Sequence, residues 1–207
     1  MNIKIKNRIL LVIAMLFMTL QCMAITPQEV MAMMTNKLNS AVGISGSFVT
    51  KGAAGGLSGK FKFDGKRSYL ETPAGFRQWY DGRSLWALNP NSKEVTLSIP
   101  EPSELKDANP LLYLQGYQQQ YRLFFSKRKD NGRYLVLLNP RQKSSIKAIE
   151  VAVNKNTMLP ERLIIRDNDD RRTTITISGL KLNNKFRAAD FTYPATQFKG
   201  YELIDLR

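Results

Sequence analysis

Few residues in this 207-residue chain are equipped for chemistry. There is no histidine, and the single cysteine is Cys22. That removes histidine acid–base catalysis, Ser-His-Asp and Cys-His nucleophile pairs, and His/Cys zinc centres, all of which need an imidazole or a thiolate. Three arrangements of the remaining groups invite a reading. Asp167, Asp169 and Asp170 offer the hard oxygen ligands that calcium takes. They lack the central glycine and distal glutamate of a calcium loop, so a solvated hairpin turn is expected there. Gly52-Ala53-Ala54-Gly55-Gly56 is glycine-rich like a phosphate cradle. It has no Lys-Ser/Thr ending, and it joins two strand patterns rather than opening a helix. Glu101 and Glu104 are spaced like a carboxylate pair, but beside Pro102 they suit the first turn of a short helix, where the positive end of the helix dipole favours acids. No catalytic residue, metal site or cofactor is therefore expected.

Abundant instead is apolar side chain on strand-like segments: Phe48, Phe61, Phe63, Tyr69, Phe76, Trp79, Trp86, Phe124 and Phe125. Any one of these suits an ordinary core. As a set on a curling sheet with a helix over its mouth, they suit a cavity for one apolar ligand. The cover is expected after Asn109-Pro110, read as N-cap and first helical residue, where Leu111, Leu112, Tyr113 and Leu114 follow.

The elements that must position this set are legible from spacing. Thr26-Pro27-Gln28-Glu29 is a capping box with proline at the first helical position. Val30, Met33, Met34, Leu38 and Ala41 then recur at helical spacing, and the helix is expected to end near Gly43. Methionines such as Met33 and Met34 adapt to varied apolar partners. From Ile44 the period changes to two. Strands are expected at Ile44 to Thr50, Leu57 to Phe63 and Arg67 to Glu71, then on either side of a sharp Asp81-Gly82 turn, and at Glu94 to Ile99. Five more follow at Tyr121 to Phe125, Tyr134 to Leu138, Ile146 to Val153, Arg162 to Arg166 and Thr173 to Ile177. About eleven short strands with hairpin signals, and no strand–helix alternation, predict a mainly β fold: an antiparallel sheet that curls or closes. No repeat, low-complexity tract or linker divides the chain.

Residues 1–24 read as a secretory signal peptide, leaving one domain over residues 25–207. Lys4, Lys6 and Arg8 precede the apolar run Ile9 to Leu20, and Cys22-Met23-Ala24 offers small residues at −3 and −1. The run is too short to span a bilayer, which takes about 20 residues. Gln21 before Cys22 is not the small residue that a lipoprotein signal needs. Beyond Ala24, 28 Lys and Arg stand against 17 Asp and Glu, a net charge of +11. Such a field favours anionic partners. Export argues against nucleic acid, and alternation such as Lys60-Phe61-Lys62-Phe63 is also what a plain solvated strand face looks like.

These residues resemble a family, the periplasmic carriers of outer-membrane lipoproteins (LolA-like proteins). The resemblance rests on the N-terminal helix, Ser45-Gly46-Ser47-Phe48, Gly59-Lys60-Phe61, Asp81-Gly82-Arg83-Ser84-Leu85-Trp86 with Asn89-Pro90, and Asn109-Pro110-Leu111-Leu112. It continues through Leu159-Pro160, Asp190-Phe191-Thr192-Tyr193 and Leu203-Ile204-Asp205. The resemblance implies an incomplete antiparallel barrel of about eleven strands, with the N-terminal helix and a short helical lid over a hydrophobic cavity. It implies a non-enzymatic periplasmic chaperone that shields lipoprotein acyl chains, receives them from an inner-membrane exporter and delivers them to an outer-membrane receptor. Phe48, Phe61, Phe63, Tyr69, Trp79, Trp86, Leu111, Leu112, Leu114, Met33 and Met34 would line the cavity. The expected protein is a monomer that touches membrane surfaces transiently and binds no nucleic acid. Many members carry an Arg-Pro pair after the second strand, whose arginine helps hold the lid. Here Asp64-Gly65-Lys66-Arg67 stands in that place, with Arg67 or Lys66 as the candidate latch. The departure leaves an alternative: a periplasmic lipid-binding or lipoprotein-sensing regulatory module on the same fold.

Overall fold

The computed structural model describes residues 24–52, 55–101, 104–105, 110–114 and 116–207. The stretch read as a signal peptide, apart from Ala24, lies outside them, as does the proposed cap Asn109. The chain opens with helix α1 (Pro27–Asn39). The Thr26 hydroxyl accepts from the Glu29 N–H at 3.2 Å, and the Glu29 carboxylate accepts from the Thr26 N–H at 2.7 Å, so the capping box forms as read.

Six strands follow: β1 (Ile44–Gly52), β2 (Gly55–Asp64), β3 (Arg67–Glu71), β4 (Arg77–Tyr80), β5 (Leu85–Asn89) and β6 (Glu94–Ser98). After the covering segment come β7 (Tyr121–Phe125), β8 (Arg133–Pro140), β9 (Ile146–Asn154), β10 (Pro160–Asp167), β11 (Arg172–Leu182) and β12 (Glu202–Asp205). They form one open twelve-stranded sheet in the order β12-β6-β5-β4-β3-β2-β1-β11-β10-β9-β8-β7. Eleven of these strands are the expected ones. The twelfth, β12, pairs parallel with β6.

Cross-strand partners share a face, so register sorts the side chains. The face under α1, here called inner, carries Leu138, Val136, Ile149, Val151, Leu163, Ile175 and Ile177, then Phe48, Phe61, Phe63 and Leu70. Val30, Met31 and Met34 of α1 are fully buried on it, each contributing roughly 2 kcal/mol of apolar burial. Lys37 Nζ ties the helix to the Thr157 carbonyl at 2.8 Å.

Two glycines make the β1–β2 seam close. Phe48 lies opposite Gly59 and Phe61 opposite Gly46, and each ring covers the glycine across from it. A Cβ on Gly59 would stand 2.3 Å from the Glu71 carbonyl oxygen and 2.9 Å from the Phe48 ring. Backbone cannot yield as a side-chain tip can, so Gly59→Ala is expected to destabilise by about 2–3 kcal/mol, read as a lower urea midpoint with unchanged slope.

The opposite, outer face of β1–β6 is crossed by a strap, residues 183–201, that carries the chain from β11 to β12. Phe191 is fully buried in it, edge-on to Phe186 at 5.7 Å. Tyr193 and Phe198 pack edge-on against Trp79 at 5.6 and 5.8 Å, and Tyr201 continues the stack. The Asp190 carboxylate accepts from the Arg187 N–H at 2.8 Å and lies 3.9 Å from Lys62 Nζ.

Acid sensitivity follows from carboxylates at and beside the hairpin turns. Asp130, Glu161, Asp167 and Asp170 are all held below the usual carboxylate range. Glu161 is held chiefly by its bond from Asn154 and then Arg133, Asp167 by Arg171, and Asp170 by Lys147. Asp130 is lowered by bonds from Gly132 and Arg133 that outweigh its desolvation. A depressed folded-state value means that the unfolded chain binds the proton first, so this stability is present above about pH 4 and lost as pH falls further. With no histidine to titrate, melting temperature is expected to stay level from about pH 6 to 8 and to drop only in acid. A transition centred near neutral pH would contradict this.

Candidate functional site

A cavity of about 550 Å³ lies where the C-terminal half of α1 faces the segment that joins β6 to β7. Such a volume is within the range of small-ligand sites, about 300–1,000 Å³. Leu38 and Ala41 close one side, Ile44 and Phe63 form the sheet wall, and Leu111, Leu112, Leu114 and Tyr117 close the other. Thr35, Asn36, Asn39, Gln118 and Gln119 supply neutral polar groups at its border. None of the described residues lining it is charged, although the chain carries 31 basic and 17 acidic residues. An ion placed there would lose hydration without a counter-charge from the described lining, which favours an uncharged guest with both apolar and polar parts. A second cavity of about 410 Å³ shares Tyr117 and Gln118 with the first and continues past Ala32 to Tyr121 and Leu123, with Glu29 and Arg141 also in its lining.

Pro110–Leu114 covers the site as a 3₁₀ stretch rather than an α-helix, and a single α-helical turn, Tyr117–Gln120, follows it. Gly116, at φ 63°, lets the chain reverse between them. Leu114 and Tyr117 are buried in the inner core.

The residues expected to line one cavity fall into three groups. Phe63, Leu111, Leu112 and Leu114 meet at this site. Phe48, Phe61 and Met34 share the inner core with Phe63 but lie deeper. Tyr69, Trp79 and Trp86 are on the other side of the sheet, packed with Leu88, Val95 and the strap. Met33 is 50% exposed, and Met31 takes the inward position in its place. Burial pushes the Tyr69 hydroxyl well above its usual range, with a bond of 2.8 Å to Glu71 adding to it. Of the two latch candidates, Arg67 pairs with Asp64 and lies over the Phe191 ring at 5.0 Å, on the strap side. Lys66 is exposed beside Gly65, which borders the cavity. Tyr117, Gln118, Asn36 and Asn39 were not expected at the site. The 3.6-residue spacing that places Leu38 inward also places Thr35 and Asn39 beside it, and this was the available signal.

The sequence matches the family described as outer membrane lipoprotein carrier protein LolA over residues 59–194. The chain belongs to the LolA family. No curated protein matches it. Among solved structures, an uncharacterized conserved protein from Thermus thermophilus superposes with a TM-score of 0.57 at 13% identity, covering 86% of this chain and 98% of that one. That likeness shows the fold. A LolA superfamily protein from Nitrosomonas europaea gives 0.44 at 14% identity, over 83% and 100% of the two chains. The Pseudomonas aeruginosa MucA/MucB complex gives 0.44 at 14%, over 78% and 61%. The LolA match starts at Gly59, one of the two ring-covered glycines, and ends just after Tyr193 in the strap. It thus spans the covering segment and every strand from the body of β2 to β11. Asp190-Phe191-Thr192-Tyr193 supplies the buried ring and the Trp79 contact that hold the strap down.

Proposed function

We propose that the protein is a periplasmic carrier that shields the acyl chains of lipoproteins between an inner-membrane exporter and an outer-membrane receptor. The observation that carries this reading is a cavity with no charge among its described lining residues, roofed by a short apolar segment, in a chain of the LolA family. Each methylene removed from water contributes about 0.8 kcal/mol, so a dozen of them account for about 10 kcal/mol. That is enough to keep a lipidated protein soluble without a covalent step. The second cavity, lined by Glu29 and Arg141 as well as Tyr121 and Leu123, suits the polar part of such a cargo better than a second acyl chain. Release needs only a receptor offering a lower-energy site, by mass action rather than by chemistry.

The test is competition against a fluorescent fatty-acyl probe. A triacylated lipopeptide is expected to displace the probe, and the same peptide without acyl chains is not. A folded protein that binds no acyl probe, or that responds equally to both peptides, would overturn the reading.

A further inference from the structure

We propose that the outer face of β8–β11 is a docking groove for a short, extended acidic segment of a partner protein. This goes beyond the carrier reading and does not depend on it. The groove, of about 610 Å³, lies where the strap does not reach. Leu137, Ala148 and Ile164 line its floor, one from each of three successive strands, and Glu150 lies between Leu137 and Ile164 as the cross-strand partner of both. Arg128, Lys147, Arg166 and Arg172 stand around it, with Glu150 as the acid among the lining residues.

The local charges are unevenly satisfied. Glu150 accepts from Ser126 Oγ at 2.9 Å and pairs with Arg128 at 3.5 Å. Lys147 holds both oxygens of Asp170, at 2.8 and 2.9 Å. Arg166 and Arg172 are direct cross-strand partners; Arg166 helps hold the Asp170 carboxyl low from a distance, and among the described residues neither side chain makes a hydrogen bond or close ion pair. Like charges placed opposite each other on a sheet are unfavourable. A carboxylate placed between these two cross-strand neighbours would turn that repulsion into charge-assisted bonds.

The apolar floor decides between anionic occupants. The groove crosses four strands, about 14 Å at roughly 4.8 Å per strand step, which an extended chain of about four residues fills. In such a chain alternate side chains reach the floor while the others reach the rim. A segment alternating acidic and apolar residues therefore satisfies both, whereas a flat bilayer surface cannot enter a recessed floor.

The experiment measures binding of a dansyl-labelled eight-residue peptide of alternating Glu and Leu to the purified protein, by fluorescence anisotropy. Binding that weakens as salt is raised is expected. Arg172→Glu would face Arg166 with an opposite charge, so its melting temperature should not fall, while affinity drops at least about tenfold. The fatty-acyl probe should bind this variant as it binds the parent, which separates failure here from failure of the carrier reading. Equal peptide affinity in Arg172→Glu, equal binding of a Lys/Leu peptide, or capture by phosphatidylglycerol vesicles with no peptide binding would each overturn the proposal.

Discussion

Trp79→Ala is expected to lower stability by about 3–5 kcal/mol and to leave the acyl-probe affinity of the folded protein unchanged. Trp79 is buried between β3, β5 and the strap, with rings of Tyr69, Tyr193 and Phe198 within 5.6–5.8 Å. Its removal leaves a void in a cluster that has Leu88 and Val95 as its other fully enclosed members. The loss falls on the outer face, whereas the proposed cargo site lies on the inner one. Urea unfolding measures the first effect and probe titration of the folded variant the second. Lost probe binding with little change in stability would place Trp79 in the cargo site and contradict the two-faced arrangement.

Leu112→Asp is expected to do the reverse. Leu112 lines the cavity yet is only partly buried, so the fold tolerates the change. A carboxylate there meets no cation among the described lining residues and faces the guest directly. Charge beside a buried acyl chain is costly, and affinity for the acyl probe is expected to fall about 100-fold while melting temperature moves by only a few degrees. Leu112→Met, which conserves volume, should bind like the parent. Unaltered affinity in Leu112→Asp would exclude this cavity as the acyl site.

Much of this architecture was legible in the sequence because local signals and tertiary packing agree. The capping box of α1, the alternation along β2 and the hairpin residues each point to the element that forms. The face assignments needed one more step. The β2–β3 hairpin pairs Asp64 with Arg67 across Gly65-Lys66, which places Tyr69 opposite Lys62 and Leu70 opposite Phe61. A two-residue turn read that way already sets Tyr69, and with it Trp79 and Trp86, on the face away from Phe61 and Phe63. Aromatic content alone does not distinguish the faces.

Other features had weaker signals. Met31 and Met33 both border the apolar stripe of α1, and the angle at which the helix meets β7 and β8 decides which one is buried. The Asp81-Gly82 hairpin reads as a two-residue turn, yet the loop spans residues 81–84. The Asp81 carboxylate accepts from the N–H groups of Arg83 and Ser84, both at 2.8 Å, which stabilises the longer form. The strap has no period, because its rings at 186, 191, 193, 198 and 201 serve an irregular path across successive strands. β12 is short, mostly exposed and reached only through that strap, so no alternation announces it.

The central claim, that the inner cavity holds acyl chains of exported lipoproteins, is tested most directly by native mass spectrometry of the protein recovered from the periplasm, with and without a co-expressed lipoprotein. A mass shift equal to an acylated protein is expected with co-expression and not in Leu112→Asp. A bare mass in both samples, or a shift equal to a free lipid that is indifferent to the co-expressed lipoprotein, would contradict it.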